Sequence, residues 1–154
     1  MTVAEVASEL RVIAASFSEE LLVAGGEAAA RRPGTGSWSP KEVLGHLIDS
    51  AANNNQRFVR AQEAEALTFP GYAQNQWVNS QGYQDADWEH LVALWSHLNL
   101  HLADVIARIP SSKYSILCTI GGDAPVPLEA IIVGYRNHLH HHMAQIRERL
   151  SPDT

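Results

Sequence analysis

Apolar residues recur every three to four positions over residues 3–30, at Val6, Leu10, Ile13, Phe17 and Leu21, while Glu5, Glu9, Glu19 and Glu20 fall mostly outside that stripe. This is the α-helical period, and the segment reads as an amphipathic helix that ends or frays near Gly25 and Gly26. A turn follows at 31–36, where Pro33, Gly34 and Gly36 break any regular pattern. The sharpest local signal is Ser39-Pro40-Lys41-Glu42. Ser39 can cap the Glu42 amide, Pro40 suits the first helical position, and Glu42 can reach back to close a capping box, with Trp38 and Val43 as a hydrophobic staple across it. A helix therefore starts at Pro40. It carries an apolar track of Val43, Leu47, Ala51, Phe58 and Ala61, and beside it a polar track of His46, Asp49, Asn53 and Arg57. Polar groups on a core-adjacent face cost free energy unless paired, so the second track either borders solvent or lines a site.

Periodicity is lost over 67–85, although Phe69, Tyr72, Trp77 and Tyr83 are spread through the stretch. Such a connection either packs its rings over one end of the helices or uses them to wall a ligand pocket. Asp85 or Asp87 can cap a third helix with the stripe Leu91, Trp95, Leu98, Leu102, Val105 and Ile109, which Pro110 stops. Between 113 and 126 the pattern suggests a short hairpin turning at Gly121-Gly122-Asp123, whose second arm holds Pro125 and so can only be an edge. Pro127 opens a fourth helix with a core face of Leu128, Ile131, Ile132, Tyr135, Leu139, Met143, Ile146 and Leu150, ended by Ser151-Pro152. Four long helices and one aromatic-rich crossover predict an all-α four-helix bundle, a single domain over 1–154.

Composition narrows the function classes. At 154 residues and 45% hydrophobic content, the chain supports one domain with a real core. A net charge of -6, with no run of Lys or Arg, leaves no footprint for nucleic acid. The lone Cys118 allows no internal disulfide, the N-terminus lacks the features of a signal peptide, and the apolar runs are too short to cross a bilayer. A soluble cytoplasmic protein without a membrane partner is expected, and a homodimer is compatible with the sequence.

The candidate chemistry sits in Tyr135-Arg136-Asn137-His138-Leu139-His140-His141-His142-Met143-Ala144-Gln145-Ile146. On a helix, His138 and His142 stand one above the other and can reach one point, whereas His140 and His141 point roughly 100–200° away. Two imidazoles on one face are how a helix donates a pair of metal ligands; neutral imidazoles suit Zn, Ni, Cu or Fe. A third ligand has to come from another element. His97 and His101 form a rival pair with the same spacing on the third helix, and local pattern alone does not choose between the pairs.

The run Trp38-Ser39-Pro40-Lys41-Glu42-Val43-Leu44-Gly45-His46-Leu47-Ile48-Asp49-Ser50, followed by Asn54, Arg57 and Phe58, resembles the first signature of the DinB/YfiT-like superfamily of metal-dependent enzymes. His138-x-x-x-His142-Met143-Ala144-Gln145-Ile146 is similar to its second signature, about 90 residues later, so the resemblance spans nearly the whole chain. It implies an up-down-down-up four-helix bundle holding a divalent metal, usually zinc or nickel, on His46, His138 and His142, with no ligand from the third helix. It further implies thiol chemistry, such as transfer of bacillithiol or mycothiol to electrophiles or thiol-dependent maleylpyruvate isomerisation.

Other residues complete the expected site. Asp49, one turn after His46, is positioned either to orient a ligand imidazole or act as a base near the metal, or to be an exposed carboxylate or salt-bridge partner of Arg57. Gln145, Asn53, Tyr72 and Trp77 are candidates for contacts to a ligand histidine or to substrate. Cys118 reads as a small buried residue, and Tyr135 as core. A zinc-type hydrolase wants a free carboxylate beside the metal, and Asp49 is the only one offered. A thiol, with a pKa near 8.5, needs less help. The sequence therefore points first to a metal-dependent transfer of a low-molecular-weight thiol to a small electrophile. A metal-dependent hydrolase and a non-catalytic metal-binding bundle are the alternatives.

Overall fold

The computed structural model describes residues 1–152, so the last two positions of the expected 1–154 domain lie outside the described residues. In chain order the elements are α1 (Val3–Ala24), α2 (Gly26–Ala29), α3 (Pro40–Gln62), β1 (Ala66–Phe69), α4 (Gln74–Gln81), α5 (Trp88–Arg108), β2 (Leu117–Ile120), β3 (Val126–Pro127) and α6 (Leu128–Leu150). The four long helices α1, α3, α5 and α6 form the bundle. α1 stops at Gly25, whose φ of 82° is a left-handed conformation that glycine adopts without strain, and one further turn, α2, follows. α3 begins with a complete capping box: the Ser39 side chain accepts from the Glu42 amide, and the Glu42 carboxylate accepts from the Ser39 amide. Asp87 is the cap of α5, accepting from the His90 amide.

Cross-helix bonds set the directions. The Trp88 indole at the start of α5 donates to the Leu21 carbonyl at the end of α1 (2.9 Å), so those helices run antiparallel. Arg136 and Arg147 of α6 pair with Glu9 and Glu20 of α1, in the same order along both helices, so α1 and α6 are parallel. β1 follows α3, β2 follows α5, and the two strands pair in parallel from Ala66–Leu117 to Phe69–Ile120; the C-terminal ends of α3 and α5 therefore share one end of the bundle. α6 starts from that same end and returns. The topology is up-down-down-up, and the parallel α3–α5 step requires the long crossover.

Two sequence expectations need correction. The stretch read as non-periodic contains β1 and the two-turn helix α4. The predicted hairpin is one part of a three-stranded sheet ordered β1-β2-β3. Four-residue strands and an eight-residue helix are too short to show a period, and the parallel partner of β2 lies about 50 residues upstream. β3 is the edge strand, antiparallel to β2, but it includes Pro127 itself; Pro127 is the residue before the helix, and α6 starts at Leu128.

The core joins Leu10, Phe17 and Leu21 of α1, Leu44, Leu47 and Phe58 of α3, Trp95, Leu102 and Ile106 of α5, and Leu128, Ile132 and Leu139 of α6, all essentially inaccessible. Trp95 meets Phe17 edge to face at 5.5 Å, the geometry favoured by the ring quadrupoles. α3 is the most enclosed helix: every residue from Glu42 to Ala51 is buried, because α5, α6 and the crossover cover three of its sides. Gly45 makes the third contact possible. A side chain there would place its Cβ 2.1 Å from Cδ2 of Tyr83, so only glycine lets the Tyr83 ring lie against the helix.

Candidate metal centre

His46 faces α6 from the buried first half of α3, and His138 and His142 face α3 from the same stripe of α6. The antiparallel α3–α6 contact brings the three together, with one nitrogen of each lying within 4.8 Å of the others. Nε2 of His46 is 3.1 Å from Nε2 of His138. The ring centroids of His46, His138 and His142 are 4.5–5.0 Å apart and mutually edge-on. Trp38, placed before the α3 cap, lies against the far side of the His46 ring at 5.2 Å.

The cluster has the electronic character of a cation site. Burial first, and then the neighbouring imidazoles, push His46 down to about 3; the same causes push His138 to about 4. His142 is also lowered, chiefly by burial, against the opposing hydrogen bond to Gln145. All three are therefore neutral near pH 7, with lone pairs available. Nδ1 of His142 is 2.8 Å from Oε1 of Gln145, and Nδ1 of His138 is 3.5 Å from the Ser50 hydroxyl, which leaves both Nε2 atoms for the centre. The 3.1 Å between two Nε2 atoms is near the ~3.3 Å edge of a tetrahedron with metal–nitrogen bonds of about 2.0–2.1 Å. Nδ1 of His46 is buried with no hydrogen-bond partner. These residues fit a divalent cation.

The rival pair does not converge on this point. His97 and His101 are exposed on α5, because the apolar stripe of that helix is turned inward against α1 and α3. His140 faces α1, where Nε2 is 2.9 Å from a Glu9 carboxylate oxygen, and His141 is exposed.

Asp49 is neither an exposed carboxylate nor a partner of Arg57. It is buried, and Oδ1 accepts hydrogen bonds from the Tyr83 hydroxyl (2.7 Å) and the Gln81 amide (2.8 Å), while Oδ2 has no partner. Burial raises its pKa, with Tyr83 and Gln81 pulling the other way. None of the hydrogen bonds of the three histidines among the described residues goes to Asp49. Asn53 donates to the Asp49 carbonyl within the helix. Tyr83 and Gln81 were not legible as site residues: they stand 34 and 32 positions from Asp49, and no local pattern marks them.

Two adjoining cavities open beside the cluster. One, of about 380 Å³, is bounded by Ser50, Asn54, Arg57, Tyr72, Asp123 and His138. The second, of about 610 Å³, shares Gly71 and Tyr72 with the first and extends past Asn53, Phe69 and Trp77. Tyr72 and Trp77 contact each other at 4.9 Å, so part of the crossover walls a pocket, while Tyr83 packs on α3. Gln145 lines neither cavity and instead faces a separate cleft with Arg31, Arg32 and Arg149. Tyr135 is core, and Cys118 is a buried thiol that burial pushes above its ordinary pKa.

An up-down-down-up helical bundle with three converging histidines, one buried and two half-buried, shared between its second and last long helices defines a class of metal-binding bundle. The model of the DinB superfamily matches residues 9–146, and the chain belongs to that superfamily. Among solved structures it is similar to YfiT from Bacillus subtilis, described as a probable metal-dependent hydrolase with an unusual four-helix bundle topology. The TM-score is 0.77 at 21% identity, covering 96% of this chain and 83% of that one. No curated protein matches the chain.

Proposed function

We propose that this protein is a divalent-metal-dependent enzyme in which His46, His138 and His142 hold the ion and Asp49 serves as the base for a small nucleophile. The observation that carries this reading is the pairing of a three-imidazole cluster with a buried carboxylate, one oxygen of which is unpartnered, one helical turn along α3. A bound divalent ion supplies Lewis-acid polarisation and lowers the pKa of water or a thiol towards neutrality. Zinc or nickel suits three neutral imidazoles. The chain's own residues do the rest. Gln145 and Ser50 orient two of the rings, Tyr83 and Gln81 hold Oδ1 of Asp49, and Oδ2 is left to take a proton.

This carboxylate alters the order of the two reactions expected from sequence. Hydrolysis takes first place, because Asp49 is not occupied in orienting a histidine. Thiol transfer to an electrophile remains the second reading. A thiol ionises near neutrality with little help from an adjacent base, so this reaction does not depend on Asp49.

Elemental analysis of untagged protein that has never met a nickel column tests the metal. Turnover of ester and amide panels, with and without cellular thiols, separates the reactions. Asp49→Asn is expected to abolish hydrolysis while leaving the metal bound. Because burial raises the Asp49 carboxyl, the wild-type rate should fall on acidification at a pH above the ordinary carboxylate range. Thiol-dependent turnover that survives Asp49→Asn would establish the second reading instead.

A further inference from the structure

We propose that the cavity beside the histidine cluster is a carboxylate subsite, in which Arg57 anchors a small monoanion whose remaining part is apolar. This rests on the enzymatic reading above, and names the substrate class for it.

Arg57 is a cation without a counter-charge among the described residues. Arg57 lies on α3, three turns beyond His46, on the wall of the ~380 Å³ cavity that His138 also lines. It makes no ion pair among the described residues, and its Nε is buried without a hydrogen-bond partner. Burial disfavours the charged form, which is reflected in a lowered pKa, with the Tyr72 hydroxyl beside it acting in the opposite sense. The Phe69 ring, 5.5 Å from the guanidinium carbon, offers cation–π compensation, but it satisfies no N–H. Burying the Nε–H of a half-buried guanidinium with no acceptor is unfavourable, and a ligand that supplies the acceptor accounts for it. The planar fork of arginine matches a carboxylate.

The surroundings restrict what the rest of the ligand is. Ser50 and Tyr72 add hydroxyls to the same wall, while Asp123 is an exposed carboxylate at the rim and opposes a second negative charge. Past Tyr72, the adjoining cavity is bordered by Phe69, Pro70, Ala73 and Trp77, which suit an apolar body. A ligand anchored on Arg57 has His138 on the same cavity wall, which is the direction of the metal centre.

The test compares phenylacetate with its neutral isostere phenylacetamide on the full chain, as purified and after chelation, by calorimetric titration and by the NMR signal of the Arg57 Nε–H group. Phenylacetate is expected to bind at least tenfold more tightly than the amide and to shift the Arg57 signal in both preparations. Arg57→Gln should remove the discrimination, and Arg57→Lys should keep part of it. Equal binding of acid and amide to the wild type overturns the proposal, and this comparison needs no variant to fold. So does a preference that survives Arg57→Gln, or a shift confined to Arg31, Arg32 or Arg149. Loss of the metal reading is a separate outcome: elemental analysis would find no ion, while the chelated protein would still prefer the acid.

Discussion

Gly45→Ala isolates the contact that seals α3 beneath the crossover. The new methyl would sit 2.1 Å from Cδ2, 2.3 Å from Cγ and 2.7 Å from Cε2 of Tyr83. Restoring an ordinary carbon–carbon separation of about 3.5–4.0 Å requires the ring to retreat by about 1.4–1.9 Å. Helix propensity alone would make the change favourable by about 1 kcal/mol. Overpacking costs about 1–3 kcal/mol, and loss of the Tyr83 hydrogen bond to the buried Asp49 carboxylate adds about 1.5–3 kcal/mol. The net expectation is a destabilisation of about 1.5–5 kcal/mol, or roughly 3–20 °C in Tm for a chain of this size. Gly134→Ala is the control, because a Cβ there meets nothing within 4 Å and the site is exposed in the middle of α6. It should stabilise by about 0.5–1 kcal/mol. Urea denaturation of both variants measures the two signs. In a Tyr83→Ala background the Gly45→Ala penalty should vanish, since the clash is gone. A Gly45→Ala protein as stable as wild type, or a penalty unchanged by Tyr83→Ala, would refute the packing argument.

Single replacement of His46, His138 or His142 by Ala should reduce metal occupancy steeply, while the His97→Ala, His101→Ala double change leaves it intact; elemental analysis after dialysis reads both. Chelation should lower Tm without loss of the helical circular dichroism signal, because the apolar core does not depend on the site; a metal at a thousandfold its Kd contributes about 4 kcal/mol. For the metal-free protein, His46 and His138 are held below the ordinary histidine value, so the unfolded chain binds more protons below about pH 6.5. Stability is then greatest above that pH, declines as pH falls from about 6.5, and levels off once pH passes below about 4 for His138 and about 3 for His46; His46→Gln should flatten the decline in thermal melts.

Much of the fold is local, and was readable for that reason. A capping box involves residues three apart, and an amphipathic stripe repeats within a turn, so α3 could be started at Pro40, and α1, α5 and α6 traced, without knowing any neighbour. The His138–His142 face is local in the same sense, since the helical period places the two rings together. His46 entered only through a resemblance spanning both signatures, because nothing local to α3 says that it will meet α6. What remained undecided depends on partners far along the chain. The choice between two equally spaced histidine pairs is made by which face of α5 and α6 the bundle buries, and β1 exists because β2, about 50 residues later, supplies its hydrogen bonds. The state of Asp49 is decided by Tyr83 and Gln81, and that of Arg57 by Phe69 and Tyr72. Periodicity along a chain tells which side of a helix is apolar. Burial, protonation and the presence of a counter-charge belong to the space between elements, and only the tertiary packing creates that space.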